Sequence, residues 1–389
     1  MGYTIYLKKG EEKRILNGHS WVYANEVLKI EGKDKNGSLV TVNTFDGKYI
    51  GKGYINHQSK ILVRIFIRND AVDDLDFYKE RIKAANNYRV SIGYENSYRM
   101  VFAEADNLPA LIIDKYQEYF VVQLLSLGMD QRRDLIVKAL VDLYNPKGIY
   151  ERSDASVRQK EGLQEVCQVL YGDVPKEIII NENGIKMSVN VYDGQKTGYF
   201  LDQKENRFAL RKYTKDATVL DCFCNSGGFS MNAALNAKEV TAVDISQLAL
   251  DNVKRNAQLN EFNNVKTLQG DVFEILREYK KNNTKFDVVV LDPPAFCKTA
   301  SEVKDAYRGY KDINILGMKL VNDGGFLVTS SCSHYMTFSL FEKMLIDAAK
   351  DSKKIVKCVE IKSQAKDHPS LLCADETQYL KFFVLQIDS

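Results

Sequence analysis

Residues Val219 to Phe229 read VLDCFCNSGGF: a short apolar strand, an acid, a small glycine-bearing turn and the start of a helix. Glycine allows a ligand close to the backbone and backbone angles that a Cβ forbids. The helix behind the turn aims unpaired N–H groups at whatever binds there. Strand, glycine turn and helix together open a nucleotide-type site at the carboxyl edge of a parallel sheet. A tight connection with no ligand has the same local pattern, so the neighbouring elements must decide.

Downstream, strands are predicted over 239–243, 265–268, 286–291 and 325–329. They end on Asp244, on Gly270-Asp271, on Asp292-Pro293-Pro294, and on Ser330-Ser331-Cys332-Ser333. Polar chemistry thus falls at the end of every strand, where an open α/β sheet places its ligand. Ser246 and Thr337 are placed to cap the helices that follow. Two last strands, 355–361 and 379–387, form a terminal hairpin that brings the sheet to seven strands. The turn lacks G-x-G-x-x-G spacing and a Gly-Lys-Ser/Thr ending, which speaks against a dinucleotide or a P-loop.

The series D-x-F-x-x-S-G-G-F, Asp244, Asp271 and Asp292-Pro293-Pro294 resembles a class I S-adenosylmethionine methyltransferase. That resemblance assigns the methionine part of the cofactor to the turn (Asp221, Phe223, Asn225, Ser226, Gly227). It assigns the ribose to Asp244 with Ile245, and the adenine edge to Asp271 with Val272; Asp292 also lines the site. Asp244 and Asp271 also suit a purely structural role at helix N-termini. Phe200 and Gln203, in the strap 194–207 (GQKTGYFLDQKENR), are expected to cover the cofactor, or else simply to brace the sheet.

Composition bounds the rest. At 389 residues, two or three domains are expected. With 45% hydrophobic and 27% charged residues the chain is ordinary for a globular protein, and no apolar run is long enough for a membrane span. The N-terminal residues have no signal-peptide character, so a cytoplasmic protein with no membrane partner is expected. Seven cysteines then read as free thiols. Cys222-x-Cys224 has no second pair at zinc spacing, so no metal is expected.

The net charge is only +2, but residues 1–70 hold 12 Lys and Arg against 7 Asp and Glu. A local positive excess suits phosphates, although a solvated surface has the same composition. Residues 1–72 are short and β-rich, with strands expected at 38–42, 49–54 and 61–67 and a hairpin turn at Asp46-Gly47. Basic and aromatic residues mix through Lys8, Lys9, Lys13, Arg14 and Trp21, a composition that clamps RNA backbone and stacks bases. The run 9–22, KGEEKRILNGHSWV, resembles a PUA domain, a small RNA-binding β-barrel. Trp21 serves equally well as the main core residue of that barrel. Residues 73–185 are read as an α+β middle domain, with helices at 75–92 and 130–144, and 186–389 as the methyltransferase domain.

Taken with these, R-x-x-x-A-E-A-D-N-L-P-A-L-I-I-D (99–114), Y-E-R-S-D-x-S-V-R (150–158), T-G-Y-F-L-D-Q-K-E-N-R (197–207), L-D-P-P-A-F and S-S-C-S cover essentially the whole chain. They resemble the bacterial 23S ribosomal RNA cytosine-5 methyltransferase family of the RlmI type. Ala110 stands where that family commonly has glycine. The resemblance implies methyl transfer from S-adenosylmethionine to cytosine C5, with large-subunit ribosomal RNA as partner. Cytosine C5 is a weak nucleophile, so a thiolate must first add at C6, which is covalent catalysis. Cys332 is assigned as that nucleophile and Asp292 as the acid at the base's ring nitrogen, with Phe296 as a stacking surface. Cys297, three residues beyond the proline pair, is the competing cysteine. An RNA guanine or adenine N-methyltransferase without a cysteine nucleophile, and a non-catalytic RNA-binding assembly factor, remain alternatives. The sequence leaves the oligomeric state, homodimer included, open.

Overall fold

A computed structural model describes residues 3–33 and 35–389. Its contacts divide the chain into two compact units: Met1–Ile180 with Val189–Leu201 and Lys366–Thr377, and Asn181–Ser188 with Asp202–Ala365 and Gln378–Ser389. A two-stranded hairpin, Ile178–Glu182 and Ile185–Val189, lies where the chain changes unit.

The first unit holds two sheets among the described residues. The N-terminal one has six strands in the order Trp21–Tyr23, Ile61–Ile67, Tyr49–Ile55, Leu39–Asn43, Thr4–Leu7 and Val27–Glu31. Its core is small and aliphatic, built from Ile5, Leu7, Val22, Val40, Val42, Val63 and Ile65. Gly47 sits at φ +88° in the hairpin turn, as the Asp-Gly pair requires. The strands 4–7, 21–23 and 27–31 were not expected, because a basic-aromatic run with few turn residues hides its period-2 alternation. The second sheet has five strands: Val166–Gly172, Gly148–Ser153, Tyr119–Leu124, Leu111–Tyr116 and Ser97–Phe102. Helices Leu75–Ser91 and Arg133–Tyr144 pack on it, and Tyr54 and Phe66 of the N-terminal sheet share its hydrophobic cluster.

Large charged side chains inside this unit are paired. Arg89 is fully buried and grips Asp106 at 2.5 and 2.7 Å, Arg99 holds Asp114, and Arg64 holds Glu161 at 2.8 Å. Ala110 adopts φ +64°, a left-handed conformation that costs any Cβ-bearing residue. A glycine at this position would carry no such cost.

The second unit is a seven-stranded sheet: β1 Thr218–Cys222, β2 Glu239–Asp244, β3 Val265–Gln269, β4 Phe286–Leu291, β5 Val321–Ser331, β6 Ile355–Lys362 and β7 Lys381–Asp388. Their spatial order is β3-β2-β1-β4-β5-β7-β6, with β7 antiparallel to both neighbours. Helices α1 Gly228–Ala234, α2 Gln247–Leu259, α3 Val272–Lys281, α4 Val303–Leu320 and α5 Phe338–Ser352 accompany it. Two hydrophobic clusters sandwich the strands, one built with α3, α4 and α5, the other with α1 and Leu210. β1 and β4 are buried on both faces, as central parallel strands must be. This is the expected α/β architecture, and the carboxyl ends of β1, β2, β4 and β5 carry or lead into Asp221, Asp244, Asp292 and Cys332. No helix is long and apolar enough to cross a membrane among the described residues.

Candidate active site

β1 ends on Asp221, and the chain then takes three left-handed residues: Phe223 at φ +60°, Asn225 at +49° and Gly227 at +82°. A Cβ on Gly227 would stand 3.0 Å from Val253, so α2 closes against this turn. The turn is tied to β2 by Cys224 N–H donating to Val243 O (3.0 Å) and Asn225 N–H donating to Asp244 Oδ2 (3.0 Å). Asp244 Oδ1 accepts from Ser246 N–H at 2.9 Å, so this carboxylate shapes the turn and the entry to α2. Ile245 beside it is 68% exposed, an apolar surface left at the sheet edge. Asp271 caps α3 by accepting from Phe273 N–H at 2.8 Å and Glu274 N–H at 3.2 Å, and Val272 is buried behind it. Ser226 and Asn225 remain half-buried at the tip of the turn.

Asp221 is fully buried. Its Oδ2 accepts from Ser230 Oγ at 2.5 Å, while Oδ1 has no hydrogen-bond partner among the described residues. Burial pushes this carboxyl up to about 7, with Asp292 and Asp244 adding repulsion. An acid buried without a cation, at the head of a glycine cradle, fits a ligand that carries positive charge.

On the neighbouring strands, Leu291 of β4 pairs with Thr329 of β5, which brings Asp292 and the Ser330-to-Ser333 end to one edge. Asp292 accepts from Ser330 Oγ and from Gln203 Nε2 (2.9 Å); Gln203 Oε1 in turn accepts from Asn206 Nδ2 at 2.7 Å. Gln203 therefore acts on Asp292. Asp292 retains some exposure at the strand end, yet burial of its carboxyl raises it to about 6. Cys332 is half-buried at the end of β5. Cys297 is 2% exposed, its thiol 3.0 Å from Thr299 O, its N–H on Ser333 Oγ, and burial raises the thiol. Phe296 is half-buried and packs on Tyr310, ring centroids 4.5 Å apart, against the sheet's hydrophobic cluster.

Other candidates lie in the first unit. Phe200 has Lys196 Nζ 4.6 Å above its ring. Lys8, Lys9 and Lys13 are exposed. Lys8 Nζ donates to Asn25 O, and Lys9 Nζ stands 5.6 Å from the Phe45 ring centroid. Arg14 is engaged internally, with Glu26 at 2.8 Å, Trp21 O at 2.8 Å and His19 Nδ1 at 2.6 Å. Trp21 donates its Nε1–H to Glu104 at 2.8 Å, linking the N-terminal sheet to the segment after Phe102. No cluster of three or more His, Cys, Asp or Glu able to hold a metal occurs among the described residues. Cys222 and Cys224 are buried singly, and burial raises both thiols.

Sequence reasoning missed Lys381, whose Nζ donates to Ser333 O at 2.6 Å and Tyr379 O at 2.8 Å. The one available signal was a lysine leading directly into the apolar run Phe382–Leu385.

A PUA-like domain family matches residues 5–68 and a methyltransferase domain family matches 213–380. A solved protein assigned as a SAM-dependent methyltransferase, from Streptococcus mutans, aligns with TM-score 0.84 at 21% identity, over 98% of this chain and 99% of that one. A second solved protein, assigned as a methyltransferase and complexed with SAH, aligns with TM-score 0.85 at 21% identity and the same coverage. The ribosomal RNA large subunit methyltransferase I of Aliivibrio fischeri is 43% identical over 100% of both chains; that of Vibrio cholerae is 44% identical over 99% of both. By this full-length similarity the chain belongs to the ribosomal RNA large subunit methyltransferase I family.

Proposed function

We propose that this chain methylates C5 of a cytosine in large-subunit ribosomal RNA, through a transient bond between the base and Cys332. The methyl donor is S-adenosylmethionine, which supplies an electrophilic methyl on a sulfonium when bound. Asp221, Phe223, Asn225, Ser226 and Gly227 would hold its methionine part, Asp244 and Ile245 the ribose, and Asp271 and Val272 the adenine edge. Phe200 and Gln203 belong to the same proposal.

The observation that carries the reading is the pairing of β4 and β5, which sets an acid and a cysteine at one strand edge. The Cys332 thiolate adds to C6, forming the S–C bond, and the displaced electron pair runs through C5 and C4 to N3. Asp292, raised to about 6, hands N3 its proton or a strong hydrogen bond. C5 becomes enamine-like and takes the methyl carbon. Loss of the C5 proton then restores the C5–C6 double bond and expels the thiolate, and N3 returns its proton to Asp292. Cys297, sealed against Thr299 and Ser333, is the less suited of the two cysteines.

Residues 1–72 supply RNA contact on this reading, with Lys8, Lys9 and Lys13 facing phosphates. Arg14 and Trp21 shape the domain, and Phe296 flanks the base. Residues 73–185 and 186–389 form the middle and catalytic domains. Such a substrate places the protein in the cytoplasm.

The test is incubation with 5-fluorocytosine-containing ribosomal RNA, where the C5 fluorine blocks the last step. A covalent protein–RNA adduct is expected for the wild type and none for Cys332→Ala. Full methylation by Cys332→Ala would hand the chemistry to nitrogen methylation without a cysteine.

A further inference from the structure

Lys381 is 4% exposed and opens β7, with its Cα directly across the ladder from Ser331. Its ammonium donates to Ser333 O at 2.6 Å and Tyr379 O at 2.8 Å. An ammonium has three donors, so one N–H is left for a further acceptor. No carboxylate pairs with this lysine among the described residues, and a buried cation without an anion is costly. The residue between its register partner Ser331 and its acceptor Ser333 is Cys332.

We infer that Lys381 is the positioning cation that keeps the Cys332 sulfur in its thiolate form, ready to attack. The inference rests on the proposed nucleophilic role of Cys332 and adds the partner that activates it. The thiol proton leaves to solvent; Lys381 keeps its own proton and stabilises the sulfur by charge alone. Burial lowers this lysine to about 8, and a thiolate at Cys332 would oppose that fall. The other titratable groups around this strand end give no such help. Tyr310 of α4 is pushed up to about 12 by burial, Cys297 is a raised thiol, and Asp292 carries negative charge when ionised. His334 follows on the exposed loop.

The experiment is site-resolved alkylation of the full chain by iodoacetamide, read by mass spectrometry from about pH 6 to about pH 9. The Cys332 midpoint is expected below the about 8.5 of a free thiol. Lys381→Met should raise it; a shift of about one unit cuts the alkylation rate near pH 6.5 about tenfold. Lys381→Arg should keep the low midpoint. A wild-type midpoint at or above the free-thiol value overturns the inference even if Lys381→Met fails to fold. An unchanged profile in folded Lys381→Met overturns it equally. The 5-fluorocytosine adduct separates the two claims. An adduct with an unchanged Lys381→Met profile sinks only the lysine's role; no adduct, with a raised Lys381→Met midpoint, sinks only the nucleophile.

Discussion

In the first unit the buried Arg89 divides its guanidinium between Asp106 and the carbonyls of Ala85, Arg99 and Asp367, so each N–H finds an acceptor. In the second, Asp221 is equally buried, yet one oxygen is held by the neutral Ser230 hydroxyl and the other goes unmatched among the described residues. Asp292 is likewise held by the neutral donors Ser330 and Gln203. Both regions bury charge, to different ends. A closed network fixes one geometry and leaves nothing to bind. An acid left without a cation raises its own pKa and waits for a ligand or a proton to complete it.

The sharpest way to break this contrast is Asp292→Asn, which keeps the size and the Ser330 contact but removes the acid. Methylation of ribosomal RNA should fall by roughly 10²–10⁴-fold, while thermal stability holds or rises. Comparable activity in the two proteins would place the proton elsewhere. Arg89→Met attacks the closed network and should cost roughly 3–5 kcal/mol, because Asp106 is left buried and unpaired. Denaturant titration checks this, and activity per folded molecule should be unchanged.

Asp221→Asn should do the reverse of Arg89→Met. The folded chain holds the Asp221 proton up to about pH 7, whereas the unfolded chain releases it near 3.8. Stability contributed by this group is therefore lost as pH rises between those values. The variant should flatten that slope and gain up to roughly 4 kcal/mol near pH 8, yet bind S-adenosylmethionine more weakly in calorimetry. Stabilisation with undiminished cofactor affinity would show that the unmatched oxygen serves no ligand. The smallest effect is expected at Ala110→Gly, where relief of φ +64° outweighs the lost methyl by about 0.5 kcal/mol in a melting experiment.

The strand–turn–helix at 218–234 and the acids closing β2 and β4 were legible because a parallel sheet buried on both faces writes itself as short apolar runs. Ser246 and Thr337 were legible as caps, and each accepts the expected main-chain N–H, from Ala249 and Leu340. The strand Val166–Gly172 was not: it is an edge strand with mostly exposed side chains, and its apolar residues carry no alternation. Asp271 could be named for a cofactor or for a cap with equal right, since both roles want an acid before a helix.

What the sequence determined, then, was local and periodic: which runs are strands, where each ends, and which residue types stand at the ends. Only the tertiary structure could decide that Gln203 braces Asp292, that Arg14 is absorbed by Glu26, and that Lys381 stands over the residue after Cys332. These pairings join residues as far as 89 positions apart, and no spacing rule encodes them. They arise because a folded core cannot leave polar atoms unmatched, and it finds their partners wherever the chain has brought them.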